Sequence, residues 1–298
     1  MKPVSTKMLV ISLDEADERR RTFTDGAKRA TIDWAFMSAH TCLHSPLKYL
    51  EEDAIVAWGR PLHARELAVY SSHYAAWECL TKDQDADQYV ILEDDIIVDW
   101  IFMDALANTC LSGQSIEYLR LYYKIPRAFS VIKRNFIVEC RDLIELRGLV
   151  VGAQGYVVTK AGARTLMKHC QKVLRPIDVE MDRSWAHGLR NLSVFPFPII
   201  ETSVMSTIGA GRYQAFAVPP ELAAKRWAAK TGEWIWMEAG QVYMRLRSKL
   251  KRRIDRARQI KSADSVNAPP GPRLVNTELA IRIVNVADAE KEDVTASP

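Results

Sequence analysis

Residues 88–99 read QYVILEDDIIVD, an apolar run that stops at Glu93-Asp94-Asp95 and turns apolar again at Ile96. Tyr89-Val90-Ile91-Leu92 is the short run expected of a strand buried on both faces of a parallel sheet. Three acids at its carboxyl end repel one another, and burying them unpaired costs several kcal/mol, on the order of the penalty for any unpaired buried charge. An oxygen-seeking divalent cation, Mn²⁺ or Mg²⁺, removes that conflict, and such ions complete their shell with water and phosphate oxygens. In open α/β sheets ligands bind just outside the carboxyl ends of strands. Glu93 and Asp95 lie two apart, so on an extended chain they share a face while Asp94 points the other way. This predicts Glu93 and Asp95 as metal ligands, with Asp94 close behind them. A plain surface turn, its acids solvated or paired with Lys and Arg, is the alternative.

A second acidic group, Asp178, Glu180 and Asp182, follows Pro176. Extended, all three share one face; helical, Asp178 and Asp182 pair at i,i+4. A carboxylate within hydrogen-bond reach of a hydroxyl can act as general base. Asp182 is the preferred base and Asp178 the preferred contact to a substrate hydroxyl. Trp185 and His187 are expected to line the side where the group that loses its proton would sit. An N-terminal helix cluster favoured by the macrodipole is the structural alternative. Ser72 and His73 fall in a helical stretch and are expected to position a nucleotide, or else to pack in the core. No nucleophile-elbow sequence is present, so a Ser-His-Asp triad is not expected.

The chain has 298 residues, 48% hydrophobic and 26% charged, which is enough to bury a sizeable core in an ordinary globular composition. Net charge is +4 but unevenly placed: between Gly240 and Ser262 stand nine Lys or Arg residues against Asp255. The five cysteines show no C-x-x-C pair, which argues for reduced thiols in the cytoplasm rather than a disulfide framework or zinc site. Met8–Leu13 is too short for a signal peptide or a membrane span. The expected location is cytoplasmic, with peripheral contact to the inner membrane as a further possibility.

Strands are expected at 8–13, 32–40, 88–93, 118–123 and 152–159, with one or two strands of a ribbon within 127–147. Residues 193–200 read as a short edge strand, because Pro196 and Pro198 interrupt it. Helices are expected at 66–80, 100–111 and 160–173. Strands alternating with helices predict a mostly parallel α/β sheet flanked by helices. The domain reading is a catalytic domain over 1–220, a helical basic extension over 221–262, and a linker with a disordered tail over 263–298. Within the extension, residues 243–260 place Leu246, Leu250, Ile254 and Ala257 at helical spacing. A cationic amphipathic helix of this kind suits an anionic membrane surface. No nucleic-acid motif accompanies the basic run, so nucleic acid is not an expected partner.

Taken in order, these segments resemble glycosyltransferase family 25, the lipooligosaccharide galactosyltransferase group. Val10–Arg20 (VISLDEADERR) is similar to its N-terminal signature, and Glu66–Trp77 (ELAVYSSHYAAW) to its glutamate, Ser-His and Trp segment. Val90–Asp95 (VILEDD) matches its acidic metal motif, and Gly155–Leu166 followed by Pro176-Ile177-Asp178 resembles its last signature. Arg65 and Ala68 stand where that family usually has glycine, and Ser12 where Asn is common. The resemblance implies a GT-A-like, Rossmann-like fold that uses a nucleotide sugar, commonly UDP-galactose, with Mn²⁺ or Mg²⁺. It places the uracil and ribose at Ser12-Leu13-Asp14, where Asp14 accepts a ribose hydroxyl and Arg19 or Arg20 reaches the diphosphate.

The function expected from all this is metal-dependent, inverting transfer of a hexose, galactose first, from a UDP-sugar to a lipooligosaccharide- or LPS-type saccharide or glycolipid. The alternatives are a metal-dependent α/β hydrolase or phosphatase, and a non-catalytic binding protein attached to membrane.

Overall fold

The computed structural model describes residues 4–202 and 216–267. Along the chain the strands are β1 (Thr6–Ser12), β2 (Trp34–Ser38), β3 (Lys48–Tyr49), β4 (Gln88–Glu93), β5 (Ile96–Val98), β6 (Tyr118–Arg120), β7 (Phe129–Lys133), β8 (Asp142–Leu146), β9 (Gly155–Thr159), β10 (Lys172–Val173), β11 (Leu192–Phe195) and β12 (Ile199–Glu201). The α-helices are α1 (Asp17–Gly26), α2 (Glu51–Trp58), α3 (Ala64–Lys82), α4 (Trp100–Ala107), α5 (Lys160–His169), α6 (Ile177–Asp182), α7 (Ser184–His187) and α8 (Pro220–Asn267).

The main sheet has eight strands in the order β2-β1-β4-β9-β6-β11-β8-β7. Only β9 and β8 run against the other strands, so the sheet is mixed but mostly parallel, as expected. Two small ribbons complete it: β3 with β10, and β5 with β12.

β4 shows why the sheet is a middle layer. Tyr89 and Ile91 pack into a cluster with Tyr70, Tyr74, Trp77 and Leu80 of α3 and Ala163 and Leu166 of α5. Val90 and Leu92 pack into the opposite cluster with Phe23 of α1 and Phe102, Met103 and Leu106 of α4. Successive side chains point to opposite faces, so a strand covered on both sides must be apolar throughout.

Local chemistry sets the element ends. Asp99 caps α4 by accepting from the Phe102 amide (3.2 Å), and Thr159 caps α5 by accepting from the Gly162 amide (3.2 Å). α2 ends at Gly59 with φ of +101°, a left-handed backbone that favours glycine. Its open carbonyls at Val56, Ala57 and Trp58 accept from the Arg226 guanidinium of α8.

Gly162 lets α5 lie close on the sheet, because a methyl there would run into the Glu117 carbonyl. That carbonyl already accepts from the Thr159 amide (3.0 Å). Gly162→Ala is therefore expected to cost about 1–3 kcal/mol in urea unfolding, the typical range for overpacking. An unchanged midpoint would mean that the α5 contact relaxes freely.

Three expectations need correction. Residues 193–200 do not form an edge strand: β11 lies between β6 and β8, and Pro196 stands just past its last residue. The chain then forms β12 separately, against β5. The strand expected at 152–159 begins at Gly155 and runs antiparallel to both neighbours. The helix expected at 160–173 stops at His169, and Lys172–Val173 pairs with β3.

Contacts divide the chain into a unit ending at Leu246 and another beginning at Arg247. The first therefore includes α8 from Pro220 to Leu246, beyond the expected domain end at 220. α8 continues through 263–267, the opening residues of the expected linker; the rest of that linker and the tail lie outside the described residues.

Candidate active site

The carboxyl ends of β1, β2 and β4 lie side by side, because Ser12 pairs with Ser38 and Ile11 with Glu93 in parallel register. This puts Ser12-Leu13-Asp14 next to Glu93-Asp94-Asp95. Asp94 turns back into this seam and is buried. Its Oδ2 accepts from the Ser12 hydroxyl (2.6 Å), and its Oδ1 pairs with Arg19 (3.2 Å). Burial pushes the Asp94 carboxyl up, opposed by Ser12 and Arg19.

Arg20 is spent on bracing rather than left open. It donates to the Ser12 hydroxyl (3.1 Å), the Ser12 carbonyl (3.1 Å) and Asp14 Oδ1 (2.7 Å), and lies 5.0 Å from the Phe36 ring centroid. Asp14 Oδ1 also accepts from Ser38 (2.8 Å), and the bonds from Ser38 and Arg20 hold its carboxyl below the usual range. Asp14 is exposed and Leu13 half-buried, so both remain open to a ligand at this edge.

Asp95 completes the bend that follows β4. Its backbone carbonyl is fixed by the Thr202 amide (2.8 Å) and hydroxyl (2.7 Å), which ties the turn to the end of β12. Its carboxylate Oδ1 is buried with no hydrogen-bond partner. Burial, then Glu93 and Asp94, pushes this carboxyl up to about 7. Glu93 stands beside it with its side chain 26% exposed, and its amide is held by the Gln154 carbonyl (2.9 Å).

An orphaned buried carboxylate oxygen, raised by its acidic neighbours, is what a divalent cation relieves. Among the described residues no group of three or more His, Cys, Asp or Glu side chains is arranged to enclose a metal ion. Two carboxylates with an open side fit the way Mg²⁺ and Mn²⁺ are held beside nucleotide phosphates, which supply the missing ligands.

Ser72 and His73 do not face this opening. Both are 0% exposed on α3, on the inner side of the acidic turn. Ser72 donates to the Ala68 carbonyl (2.9 Å) and accepts from the His40 amide (2.9 Å), while Ser71 accepts from the His44 amide (3.0 Å). His73 touches Glu93 from behind, with Nε2 3.4 Å from Oε1. Of the two roles expected for Ser72 and His73, the core position is the one seen, not a donor contact: they support the loop after β2 and Glu93.

Asp178 and Asp182 both lie on α6, but their settings differ. Asp182 is 0% exposed and pairs with Arg120 (2.6 Å), itself 1% exposed. Its oxygens also accept from the Val150 (2.7 Å) and Val151 (2.6 Å) amides and from Asn191 (3.3 Å). Burial pushes its carboxyl up, opposed by Arg120 and the two amides. With those partners and no exposure it cannot reach an acceptor hydroxyl, so the expected role as base is not one this geometry allows. Asp178 is half-buried; Oδ2 accepts from Gly152 (3.1 Å) and Oδ1 from Val179 (2.9 Å), leaving lone pairs on each oxygen.

Trp185 and His187 also move off the acceptor side. Trp185 donates to Glu233 on α8 (3.0 Å), and Gly240 of α8 lies against its Cβ. His187 bridges the Met181 carbonyl (3.2 Å) and the Leu189 amide (3.1 Å). Burial, with His169 beside it, pushes its imidazole down to about 3, so it stays neutral.

Sequence reasoning missed Arg120, Gln154 and Glu201. Arg120 interrupts the apolar run YLRLYY, and that interruption was a readable sign of a buried charge needing a partner. It also donates to the Gly152 carbonyl and to Asn191 (3.1 Å), holding the loop before β9. Gln154 has its side-chain oxygen buried and unpartnered. Glu201, bonded by Tyr122 (3.2 Å) and Lys124 (3.1 Å), adds negative charge near Asp95.

The fold is that of a layered α/β protein with a mostly parallel sheet and an acidic cluster at the carboxyl edge of β4. The family model described as "Glycosyltransferase family 25 (LPS biosynthesis protein)" matches residues 5–181, more than half of the chain. The chain belongs to that glycosyltransferase family. The matched span runs from β1 through α6 to Met181.

No curated protein matches the sequence. Similar solved structures include A197 from STIV at 14% identity, covering 66% of this chain and 83% of that one, with a TM-score of 0.34. A glycosyltransferase involved in glycosylation of the major capsid of PBCV-1 is 10% identical over 65% of this chain and 71% of that one, TM-score 0.31. An active-site mutant of LgtC is 10% identical over 74% of this chain and 99% of that one, TM-score 0.30.

Proposed function

We propose that this glycosyltransferase moves a hexose, galactose first, from a UDP-sugar to a lipopolysaccharide-type saccharide acceptor, with inversion and with a divalent cation at Glu93 and Asp95. The observation that carries this reading is the orphaned, buried Oδ1 of Asp95 beside Glu93 at the open carboxyl edge of β4. When bound, Mn²⁺ or Mg²⁺ supplies Lewis-acid charge that stabilises the departing diphosphate.

The chain's own residues do the remaining work. Asp94 is locked by Ser12 and Arg19, which supports a role in fixing the turn that bears Glu93 and Asp95. Asp14 is placed to accept a ribose hydroxyl at the end of β1, and Arg19 to offset phosphate charge there. Asp178 offers lone pairs to a sugar hydroxyl at the neighbouring loop. Holding these groups in advance of binding is the main contribution of the fold.

The test is a screen of nucleotide sugars against the purified protein, with and without Mn²⁺ or Mg²⁺. A transferase binds UDP and one UDP-sugar in a metal-dependent way and releases UDP faster when a saccharide acceptor is added. Phosphate release from simple esters with no acceptor would favour the hydrolase reading instead.

The acceptor class implies a surface, and α8 offers one. No described helix is long and apolar enough to cross a membrane. Ile235, Trp236, Val242, Tyr243 and Leu246 are all exposed on α8, at spacings that recur on one broad side, and the basic run of the sequence begins at Arg245. An anionic membrane surface would take this combination. Removing residues 243–298 is expected to lower retention on anionic liposomes at least about tenfold, since each basic residue near such a surface contributes on the order of 1 kcal/mol. UDP affinity should not change; if it falls as well, the segment serves the catalytic fold rather than a membrane.

A further inference from the structure

His73 is buried where no ligand can reach it, yet it sits between the acidic turn and a line of buried polar groups. Trp77 Nε1 donates to the Tyr156 hydroxyl (2.8 Å), the Tyr156 hydroxyl meets His73 Nδ1 (3.0 Å), and His73 Nε2 meets Glu93 Oε1 (3.4 Å). Trp77 and His73 are 0% exposed and Tyr156 is 1% exposed, so water cannot substitute for any of these partners.

The proton positions follow from what each group can do. Indole nitrogen only donates, so Trp77 takes one lone pair of the Tyr156 oxygen. The Tyr156 proton then needs an acceptor, and the nitrogen 3.0 Å away, His73 Nδ1, is in place to take it. A neutral imidazole that accepts at Nδ1 carries its proton at Nε2, and Nε2 faces a carboxylate that only accepts. Protonating both ring nitrogens would leave the buried Tyr156 proton without this acceptor. One arrangement satisfies every member: Trp77 to Tyr156, Tyr156 to His73, His73 to Glu93.

We infer that His73 is a positioning residue that holds Glu93 in metal-binding orientation, with its own tautomer set by Tyr156 and Trp77. This rests on the proposed metal and nucleotide site. α3 and β9 thus reach the donor site without touching the donor. One oxygen of Glu93 is anchored from behind, which leaves the other to the open side. Partners of this kind behind a metal ligand commonly change metal affinity by about 10–100-fold.

The test compares His73→Leu, His73→Asn, His73→Gln and Tyr156→Phe by the Mn²⁺ concentration that half-saturates UDP binding, measured calorimetrically alongside thermal melting. A Gln side chain can return an N–H near the Nε2 position, whereas Asn reaches only the Nδ1 position. Leu and Asn are expected to raise the Mn²⁺ requirement about tenfold, Gln to stay within about threefold of wild type, and Tyr156→Phe to shift a few-fold upward. Metal-free UDP binding should stay the same in all four. If Leu does not fold, the Asn–Gln contrast and Tyr156→Phe decide the matter. The inference is overturned if Asn rescues and Gln does not, or if all variants keep the wild-type Mn²⁺ requirement. A wild-type protein with no metal-dependent UDP binding would instead overturn the functional reading on which the inference stands.

Discussion

Asp95→Asn is expected to lower transfer on the order of 10²–10³-fold and to remove the metal dependence of UDP binding, while making the metal-free protein more stable above pH 7. The two effects share one cause. Asp95 Oδ1 is buried without a partner, and burial with Glu93 and Asp94 nearby raises the carboxyl to about 7. In the unfolded chain the same carboxyl titrates at about 3.9. The sign follows from linkage. Below about pH 4 the group is protonated in both states and costs nothing. Between pH 4 and 7 the unfolded chain ionises while the folded chain does not, so stability falls across that window as pH rises. Above pH 7 the full penalty remains.

An uncharged, nearly isosteric amide avoids that penalty, so the variant should gain on the order of 1–3 kcal/mol at pH 8 and little at pH 4. Denaturant unfolding in the presence of a chelator, at both pH values, measures the difference. With Mn²⁺ and UDP added, wild type should recover stability and the variant should not. A variant that is less stable at pH 8, or that retains metal-dependent UDP binding, would show that Asp95 is not the strained ligand described.

Asp182 is expected to fail in the opposite manner, through stability rather than chemistry. Asp182→Ala leaves the Arg120 guanidinium buried with its charge unpaired, and losses of about 3–5 kcal/mol are typical of such changes. It also releases the Val150 and Val151 amides, which loosens the loop leading into β9. Replacing Arg120 by Met at the same time removes the stranded charge, so the double variant should lose less than the sum of the single losses. Urea unfolding of Asp182→Ala, Arg120→Met and the double variant supplies the cycle. A carboxylate acting as general base would behave otherwise: Asp182→Asn would stay fully stable and lose turnover by about 10²–10⁴-fold. That result would return Asp182 to the chemistry.

Much of the site was legible because it rests on local rules. The alternation of a strand separated Asp94 from Glu93, the last residue of β4, and Asp94 is the acid that turns back to Ser12 and Arg19. The apolar run before the acids marked β4 as a strand covered on both faces. Four ordered segments pointed to family 25, and the family match over 5–181 spans the same stretch.

What could not be read locally was direction and depth. That β9 runs antiparallel between β4 and β6 is decided by which edges are free when the sheet assembles, and residues 155–159 carry no trace of it. Ser72 and His73 look like ligand contacts in the helix that bears them; they are interior because α3 lays that side against β4 and β9. Asp182 looks like Asp178 four residues earlier, and only Arg120, arriving from β6, separates a structural ion pair from a half-open carboxylate. Trp185 loses its expected role to Glu233 and Gly240, which lie on α8 far along the chain. The sequence by itself determined which strand ends in acids, since that depends on neighbours a few residues away. Only the tertiary structure decided which polar groups face a ligand and which brace the ones that do, because burial and pairing depend on residues the local pattern never meets.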